Sequence, residues 1–135
     1  MRVFIDTNIL ISCIVWPDSK TAKAFFKAVY APANKAIICE YSLDELYRVF
    51  RRKFPGYILN MTDFLVKYMP VLEVVPVPDE PYEAEQLIRD ENDRPILRAA
   101  INARADILLT GDKDFLESGI TTPRIMSASD FLELA

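Results

Sequence analysis

Short apolar runs alternate along the chain with longer segments in which apolar residues recur every three or four positions. The short runs predict strands of a parallel sheet, which are buried on both faces. We predict strands at residues 3–5, 36–39, 71–77, 107–109 and 124–126. We predict helices at residues 19–30, 42–54, 57–69, 82–89 and 95–103, an apolar segment at 9–15 and a last helical turn. Strands that alternate with helices predict an α/β fold whose central parallel sheet has helices on both faces.

The predicted helix at residues 42–54 carries an acid on the side opposite its apolar stripe. Viewed along the helix axis, the residues of the stripe lie within about 60° of the first one, whereas Glu45 lies at about 200° from it, with Arg48 and Arg52 on the same side as Glu45. One interpretation is a solvated face with a Glu45–Arg48 ion pair and a capping box that begins at Ser42. The other is an acid that projects into a cleft between two guanidinium groups, and helix geometry alone favours the first. The stripe consists of Leu43, Leu46, Tyr47, Phe50 and Phe54.

The composition is that of one globular domain, which we place at residues 1–135. Apolar residues make up 51% of the chain and charged residues 27%, as in ordinary globular proteins. The longest apolar run is far shorter than the ~20 residues of a membrane span, and the start lacks a signal peptide. We therefore expect a cytoplasmic protein without a membrane partner. Cys13 and Cys39 lie in apolar surroundings, which predicts buried, reduced thiols.

The chain contains no histidine. This absence excludes the commonest general base and the Ser-His and Cys-His nucleophile pairs. If the protein is an enzyme that uses a metal, oxygen ligands indicate a hard ion such as Mg²⁺ or Mn²⁺. The net charge of −4 argues against a broadly basic nucleic-acid-binding surface. It does not exclude a nuclease, since carboxylates gathered around divalent ions would be neutralised locally.

Two aspartates directly follow predicted strands. Asp6 ends the first strand and Asp112 follows the fourth, so both lie at the carboxyl edge of a parallel sheet, where ligands bind. Each could instead cap the helix that follows, although this alternative is weaker for two such acids than for one. Asp93 precedes a helix with Pro95 in its first turn, which predicts an N-cap. Spacing alone does not choose between Asp93 and its neighbours Asp90 and Glu91.

Four segments together are similar to the PIN-domain ribonucleases, and among these to the VapC-like toxins of prokaryotic toxin–antitoxin pairs. Each segment alone is a weak motif, but their order and separation are specific and they extend over nearly the whole chain. The segments are Phe4-Ile5-Asp6-Thr7-Asn8, Ser42-Leu43-Asp44-Glu45-Leu46, Asn92-Asp93-Arg94-Pro95-Ile96-Leu97 with Ala99-Ala100, and Ala105-Asp106-Ile107-Leu108-Leu109-Thr110-Gly111-Asp112-Lys113-Asp114-Phe115.

The resemblance implies a sheet of order 3-2-1-4-5 with an acidic pocket at its carboxyl edge. It implies that Asp6, Glu45, Asp93 and Asp112 are catalytic and bind Mg²⁺ or Mn²⁺, with Asp114 as a further metal-binding acid. It also implies an RNA substrate, a possible cognate antitoxin and a possible homodimer. The alternatives are a PIN-domain nuclease of RNA processing or surveillance and a non-catalytic PIN binding module. The supporting residues are Thr7, Asn8 and Thr110, and those expected to contact RNA or the antitoxin are Arg48 and Arg52.

Overall fold

A computed structural model describes residues 1–134 of the chain. These residues form a five-stranded, all-parallel sheet of order β3-β2-β1-β4-β5. The predicted α/β class and the strand order implied by the resemblance are both confirmed. The strands are β1 (Arg2–Ile5), β2 (Lys35–Cys39), β3 (Glu73–Val75), β4 (Ile107–Leu109) and β5 (Arg124–Met126).

Seven α-helices lie within the described residues, and four short 3₁₀ turns connect them to their neighbours. The predicted apolar segment at 9–15 is helical and forms most of α1. The helices are α1 (Thr7–Val15), α2 (Lys20–Tyr30), α3 (Glu40–Lys53), α4 (Ile58–Tyr68), α5 (Arg94–Asn102), α6 (Lys113–Leu116) and α7 (Ala128–Glu133). The 3₁₀ turns are Pro55–Tyr57, Met69–Val71, Glu83–Leu87 and Glu91–Asp93. No helix among these residues is long and apolar enough to cross a lipid bilayer.

The sheet buries both of its faces. Alternate side chains of β1 point to opposite sides, so Val3 and Ile5 join one apolar cluster and Phe4 joins the other. All three are fully buried, and each contributes about 1.5–3 kcal/mol by leaving water. The first cluster includes residues of α1, α2, α3, α4 and α7, and the second includes residues of α5 and α6. Helices therefore cover both faces, as predicted.

The direction of travel across the sheet changes between β1 and β4. From β1 the chain proceeds to β2 and β3 on one side, and then crosses back to form β4 and β5 on the other side. β1 pairs directly with both β2 and β4. In open parallel sheets, the crevice beyond the carboxyl ends of strands at such a point is the usual ligand site. Asp6 and Asp112 follow the two strands that border this crevice.

Helix α3 begins two residues before the predicted start, which corrects the role of Ser42. The N-cap is Cys39, and the fully buried Ser42 lies at the third helical position. Its hydroxyl lies 3.2 Å from the Cys39 Sγ and accepts a long 3.5 Å hydrogen bond from the Cys39 N–H. The predicted capping box between Ser42 and Glu45 is therefore wrong, and Glu45 has no capping role.

Three further predictions about local structure are wrong in detail. Tyr47, a member of the predicted apolar stripe, is 44% exposed, because it lies on the flank of that stripe and lines an open groove between α3 and α4. The third strand is limited to Glu73–Val75, since Pro76 and Pro78 lack the N–H groups that extend a ladder. The segment at 82–89, predicted as a helix, forms only the 3₁₀ turn Glu83–Leu87.

Cys13 and Cys39 are buried and unpaired, as predicted.

Candidate functional site

The carboxylate of Asp6 is fixed at the tip of β1 by three donors. Oδ1 accepts a 2.8 Å hydrogen bond from the Thr7 N–H, so that Asp6 is the N-cap of α1. Oδ2 accepts from Asn8 Nδ2 at 3.1 Å and from the Thr110 hydroxyl at 2.7 Å. The side chain is nearly buried, with 5% of the residue exposed. Burial raises the pKa of Asp6 to about 6, although the Thr110 hydrogen bond opposes this and the Glu45 carboxylate adds to it.

The tip of β4 is joined to the tip of β1 by a second set of contacts. The Gly111 N–H donates to Asn8 Oδ1 at 3.2 Å, and the Asp112 N–H donates to the Thr110 hydroxyl at 3.0 Å. Asp112 caps the short helix α6 by accepting a 2.9 Å hydrogen bond from the Asp114 N–H. Both strand-tip acids are thus helix caps, but their capping role does not prevent them from meeting at one place.

The third acid comes from the 3₁₀ turn that precedes α5. Here Asp90 is the capping residue, because its Oδ1 accepts a 2.9 Å hydrogen bond from the Asn92 N–H. Asp93 occupies the N-cap position of α5, as predicted, but it adopts helical backbone angles and its side chain makes no capping bond. Burial, followed by a hydrogen bond and charge repulsion with Asp112, raises the pKa of Asp93 to about 8.

Four acids line one small pocket at the switch point of the sheet. Asp6, Glu45, Asp93 and Asp112 border a space of about 120 Å³, into which they converge from four different elements. The predicted direction of Glu45, away from the core stripe of α3, is confirmed. The interpretation in which this acid faces a cleft is the one that the structure supports. Thr7, Asn8, Ile11 and Val49 complete the lining.

Two acids of this pocket, together with Asp114 outside it, are close enough to share a hard divalent cation, and among residues 1–134 Asp6 and Glu45 are not part of that close group. Carboxylate oxygens of Asp93, Asp112 and Asp114 all lie within 4.8 Å of one another, close to the ~4 Å that separates opposite ligands of an ion with bonds of about 2.1 Å. Thr7 lines the pocket, and its buried Oγ1 has no hydrogen-bond partner within residues 1–134. Asp114 does not line the pocket, and its Oδ1 forms a 2.7 Å ion pair with Arg89.

Arg48 and Arg52 line a neighbouring pocket of about 310 Å³, which shares Glu45 and Asp93 with the acidic pocket. The Arg48 guanidinium lies 5.7 Å from the ring centroid of Tyr41. Within residues 1–134, Arg48 forms no ion pair with Glu45, so the predicted pair on a solvated face is wrong.

The sequence interpretation missed two residues that order the site. The Tyr41 hydroxyl donates to the Asn92 carbonyl at 2.9 Å and so connects α3 to the turn that carries Asp93. Arg89 forms a 2.7 Å ion pair with Asp114, which lies close to Asp93 and Asp112. Helical periodicity and capping rules say nothing about contacts between distant segments, so no local signal identified either residue.

The carboxylates converge at the switch point of an α/β sheet, where such sheets bind ligands, and comparison with known proteins supplies the family. The sequence model of the PIN domain matches residues 2–114. The chain therefore belongs to the PIN domain family. None of the curated proteins that were compared matches the chain.

Two solved structures share the fold. The crystal structure of VapBC2 from Rickettsia felis, bound to a DNA fragment from its promoter, matches at 20% identity with a TM-score of 0.67 and covers 94% of this chain and 98% of that chain. VapC20 of Mycobacterium tuberculosis, described as a sarcin-ricin loop cleaving toxin, matches at 16% identity with a TM-score of 0.60. That match covers 87% of this chain and 95% of the other.

Replacing Asp93 with Asn should stabilise the protein in EDTA, increasingly so as the pH rises. An unfolded aspartate ionises near its ordinary pKa of about 3.9, whereas folded Asp93 ionises near 8, so the stability of the wild-type protein falls as the pH rises between these values. We expect a gain of about 1–2 kcal/mol at pH 8, after allowance for solvent screening, and little gain near pH 4.

Urea denaturation at a series of pH values measures this difference. Asp44→Asn on exposed α3 surface is the matched control and should change stability little at any pH. A difference between Asp93→Asn and wild type that does not depend on pH would contradict the assignment of the raised pKa to Asp93.

Proposed function

We propose that the protein is a metal-dependent ribonuclease that hydrolyses RNA phosphodiester bonds. The observation that carries the proposal is the convergence of Asp6, Glu45, Asp93 and Asp112 on one pocket at the switch point of the sheet. Membership of the PIN domain family supports the same assignment. The absence of histidine is consistent with chemistry that relies on carboxylates.

Each group of residues at the site has its own proposed role in this reaction. Asp6, Glu45, Asp93 and Asp112 would hold one or two Mg²⁺ or Mn²⁺ ions, with Asp114 as an additional acid that Arg89 engages. Such an ion, when bound, supplies Lewis acidity toward a phosphodiester and its attacking water. Thr7, Asn8 and Thr110 orient Asp6 through hydrogen bonds of 2.8, 3.1 and 2.7 Å, which fixes one ligand before the ion arrives.

Arg48 and Arg52 would contact either RNA phosphate or a protein partner from the neighbouring pocket. Both side chains are exposed on α3, and guanidinium groups bind both phosphate and carboxylate oxygens. They line the pocket that shares Glu45 with the acidic pocket, so they lie beside the proposed reacting centre. We regard residues 1–135 as one catalytic domain.

Divalent cations should raise the melting temperature of the protein. The ion binds the assembled carboxylates of the folded state, and a ligand present at about 100 times its Kd stabilises a protein by about 2.7 kcal/mol. Differential scanning fluorimetry with millimolar Mn²⁺ or Mg²⁺ measures the shift. Asp112→Asn should reduce the shift and Asp44→Asn should retain it. No shift for the wild-type protein at millimolar Mn²⁺ would count against a metal site.

The substitution Asp6→Asn should leave the protein folded but abolish Mn²⁺- or Mg²⁺-dependent cleavage of RNA. The amide conserves the shape of the side chain but removes the charge that would hold the cation, so we expect a loss of more than about 100-fold. Single-turnover cleavage of a labelled RNA measures it, with EDTA as the metal control and circular dichroism as the folding control. Glu45→Gln should behave like Asp6→Asn, whereas Asp44→Asn, one position away, should keep its activity. Full activity of Asp6→Asn would remove this residue from the mechanism.

We further propose that the protein is the toxin of a type II toxin–antitoxin pair. The support is the shared fold with VapBC2 and with the toxin VapC20, over nearly the whole length of each chain. The partner would be a cognate antitoxin, and the toxin would be able to form a homodimer. A role in RNA processing or surveillance, or as a non-catalytic binding module, has no observation in its favour beyond the fold itself.

Induced expression of the wild-type chain in a bacterial host should arrest growth, because uncontrolled cleavage of essential RNA stops protein synthesis. Asp6→Asn should be harmless at the same protein level, and co-expression of a short neighbouring reading frame should restore growth of the wild type. Growth curves and immunoblots provide the measurement. Normal growth of cells that contain active ribonuclease would eliminate the toxin role and leave the nuclease assignment intact.

A further inference from the structure

The acidic pocket is too small to hold any part of an RNA other than the reacting phosphate. Its volume is about 120 Å³, which equals a few water molecules at roughly 30 Å³ each. Sites that bind whole small molecules occupy about 300–1,000 Å³. The nucleotides on either side of the cleaved bond must therefore rest in neighbouring spaces along the carboxyl edge of the sheet.

Two such spaces border the acidic pocket on opposite sides. One is the pocket of Arg48 and Arg52, on the β2 side. The other, which we call the β4–β5 pocket, has a volume of about 450 Å³ and shares Asn8 with the acidic pocket. Thr110 and Gly111, which hold Asp6 and Asn8, also line it. The β4–β5 pocket is therefore in direct contact with the residues that set the geometry of the acids.

The charge of the two spaces differs. The Arg48 and Arg52 pocket also contains the carboxylates of Glu45, Asp90 and Asp93, so its cationic character is offset. Among residues 1–134, the β4–β5 pocket is lined by one charged residue, Lys20, and by no carboxylate. Of the two spaces, the β4–β5 pocket is thus the more favourable for an anionic ligand.

The remaining lining of the β4–β5 pocket suits a nucleobase. Four hydroxyl-bearing residues come from three separate elements, and Ile9 and Leu116 add apolar surface. Hydroxyl groups donate and accept, so they can bond to any base edge, while unstacked bases of single-stranded RNA expose those edges. These four hydroxyl-bearing residues, in addition to Thr110, are Ser12, Thr21, Ser127 and Ser129.

We infer that the β4–β5 pocket binds one nucleotide of single-stranded RNA next to the cleaved bond, with its base among the hydroxyls and a flanking phosphate at Lys20. This inference rests on the proposed ribonuclease function and specifies how that function selects its substrate. Because the hydroxyls accept every base edge, discrimination among bases at this position is modest, and shape decides more than hydrogen-bond pattern.

Lys20 can be tested against a matched lysine on the same helix. Lys20 and Lys23 are both exposed in the first turns of α2, but only Lys20 lines the pocket. Lys20→Ala should lower kcat/KM for a short single-stranded RNA about tenfold and reduce the slope of log Kd against log salt by about 0.7. Lys23→Ala should do neither. Binding is measured by fluorescence anisotropy in an Asp6→Asn background, so that the RNA stays intact.

A bulky residue at the pocket rim tests the base-binding part separately. Ser129→Trp would occupy the pocket from its exposed rim, whereas Thr121→Trp introduces the same side chain at an exposed position that does not line it. Sequencing the products of an RNA pool that is randomised around the cut should show an altered base preference at one position for Ser129→Trp only. Melting temperatures of both variants establish that they are folded.

The outcomes separate the two claims. If the wild type cleaves RNA but Lys20→Ala and Ser129→Trp behave like their control variants, the nucleotide pocket is overturned and the ribonuclease proposal stands. No cleavage by the wild type, together with Lys20-dependent RNA binding, would overturn the ribonuclease and support the pocket as a binding site. If Lys20→Ala and Lys23→Ala lose RNA affinity to the same extent, the nucleotide pocket is overturned, since RNA is then attracted to the positive charge of α2 in general.

Discussion

One buried carboxylate, that of Asp6, joins the two central strands where the chain changes direction across the sheet. A buried charge costs several kcal/mol unless hydrogen bonds replace its water, and here Thr7, Asn8 and Thr110 supply three. The donors come from the segments that follow both β1 and β4, so Asp6 cannot move without breaking hydrogen bonds to both strand tips. The position of the site therefore follows from the pairing of the two strands, and a site held by such rigid elements is placed accurately.

The other acids reach the same pocket from independent elements, and their convergence is unfavourable in the absence of a cation. Glu45 comes from α3, Asp93 from a 3₁₀ turn and Asp112 from the start of α6. Burial and repulsion raise the pKa of Asp93 to about 8, which means that the fold resists its ionisation. The two apolar clusters on the faces of the sheet offset this strain, a common arrangement in which a functional site lowers the stability of its own fold.

How far the sequence predicts this site depends on the range of the interactions involved. Asp6 and Asp112 follow from topology, because parallel strands bring their carboxyl ends together, and the direction of Glu45 follows from helix geometry. The selection of Asp93 needed the family resemblance, since Asp90 is an equally good cap by residue type and caps the 3₁₀ turn just before α5. The exposure of Tyr47 could not be predicted from the apolar stripe of α3. Periodicity identifies the apolar face of a helix, but it does not show how much of that face a neighbouring helix covers.

The net charge of −4 is a poor guide to what this protein binds. At physiological salt, exposed charges interact over about 8 Å, so a ligand at the carboxyl edge responds to the nearest groups and not to the total. Four of the 20 acidic residues line one small pocket, whereas Lys20 lines the space on one side of it and Arg48 with Arg52 the space on the other. Under the proposed function, cations neutralise the centre and basic side chains hold the flanks, so a chain with an acidic composition presents a locally favourable path to RNA.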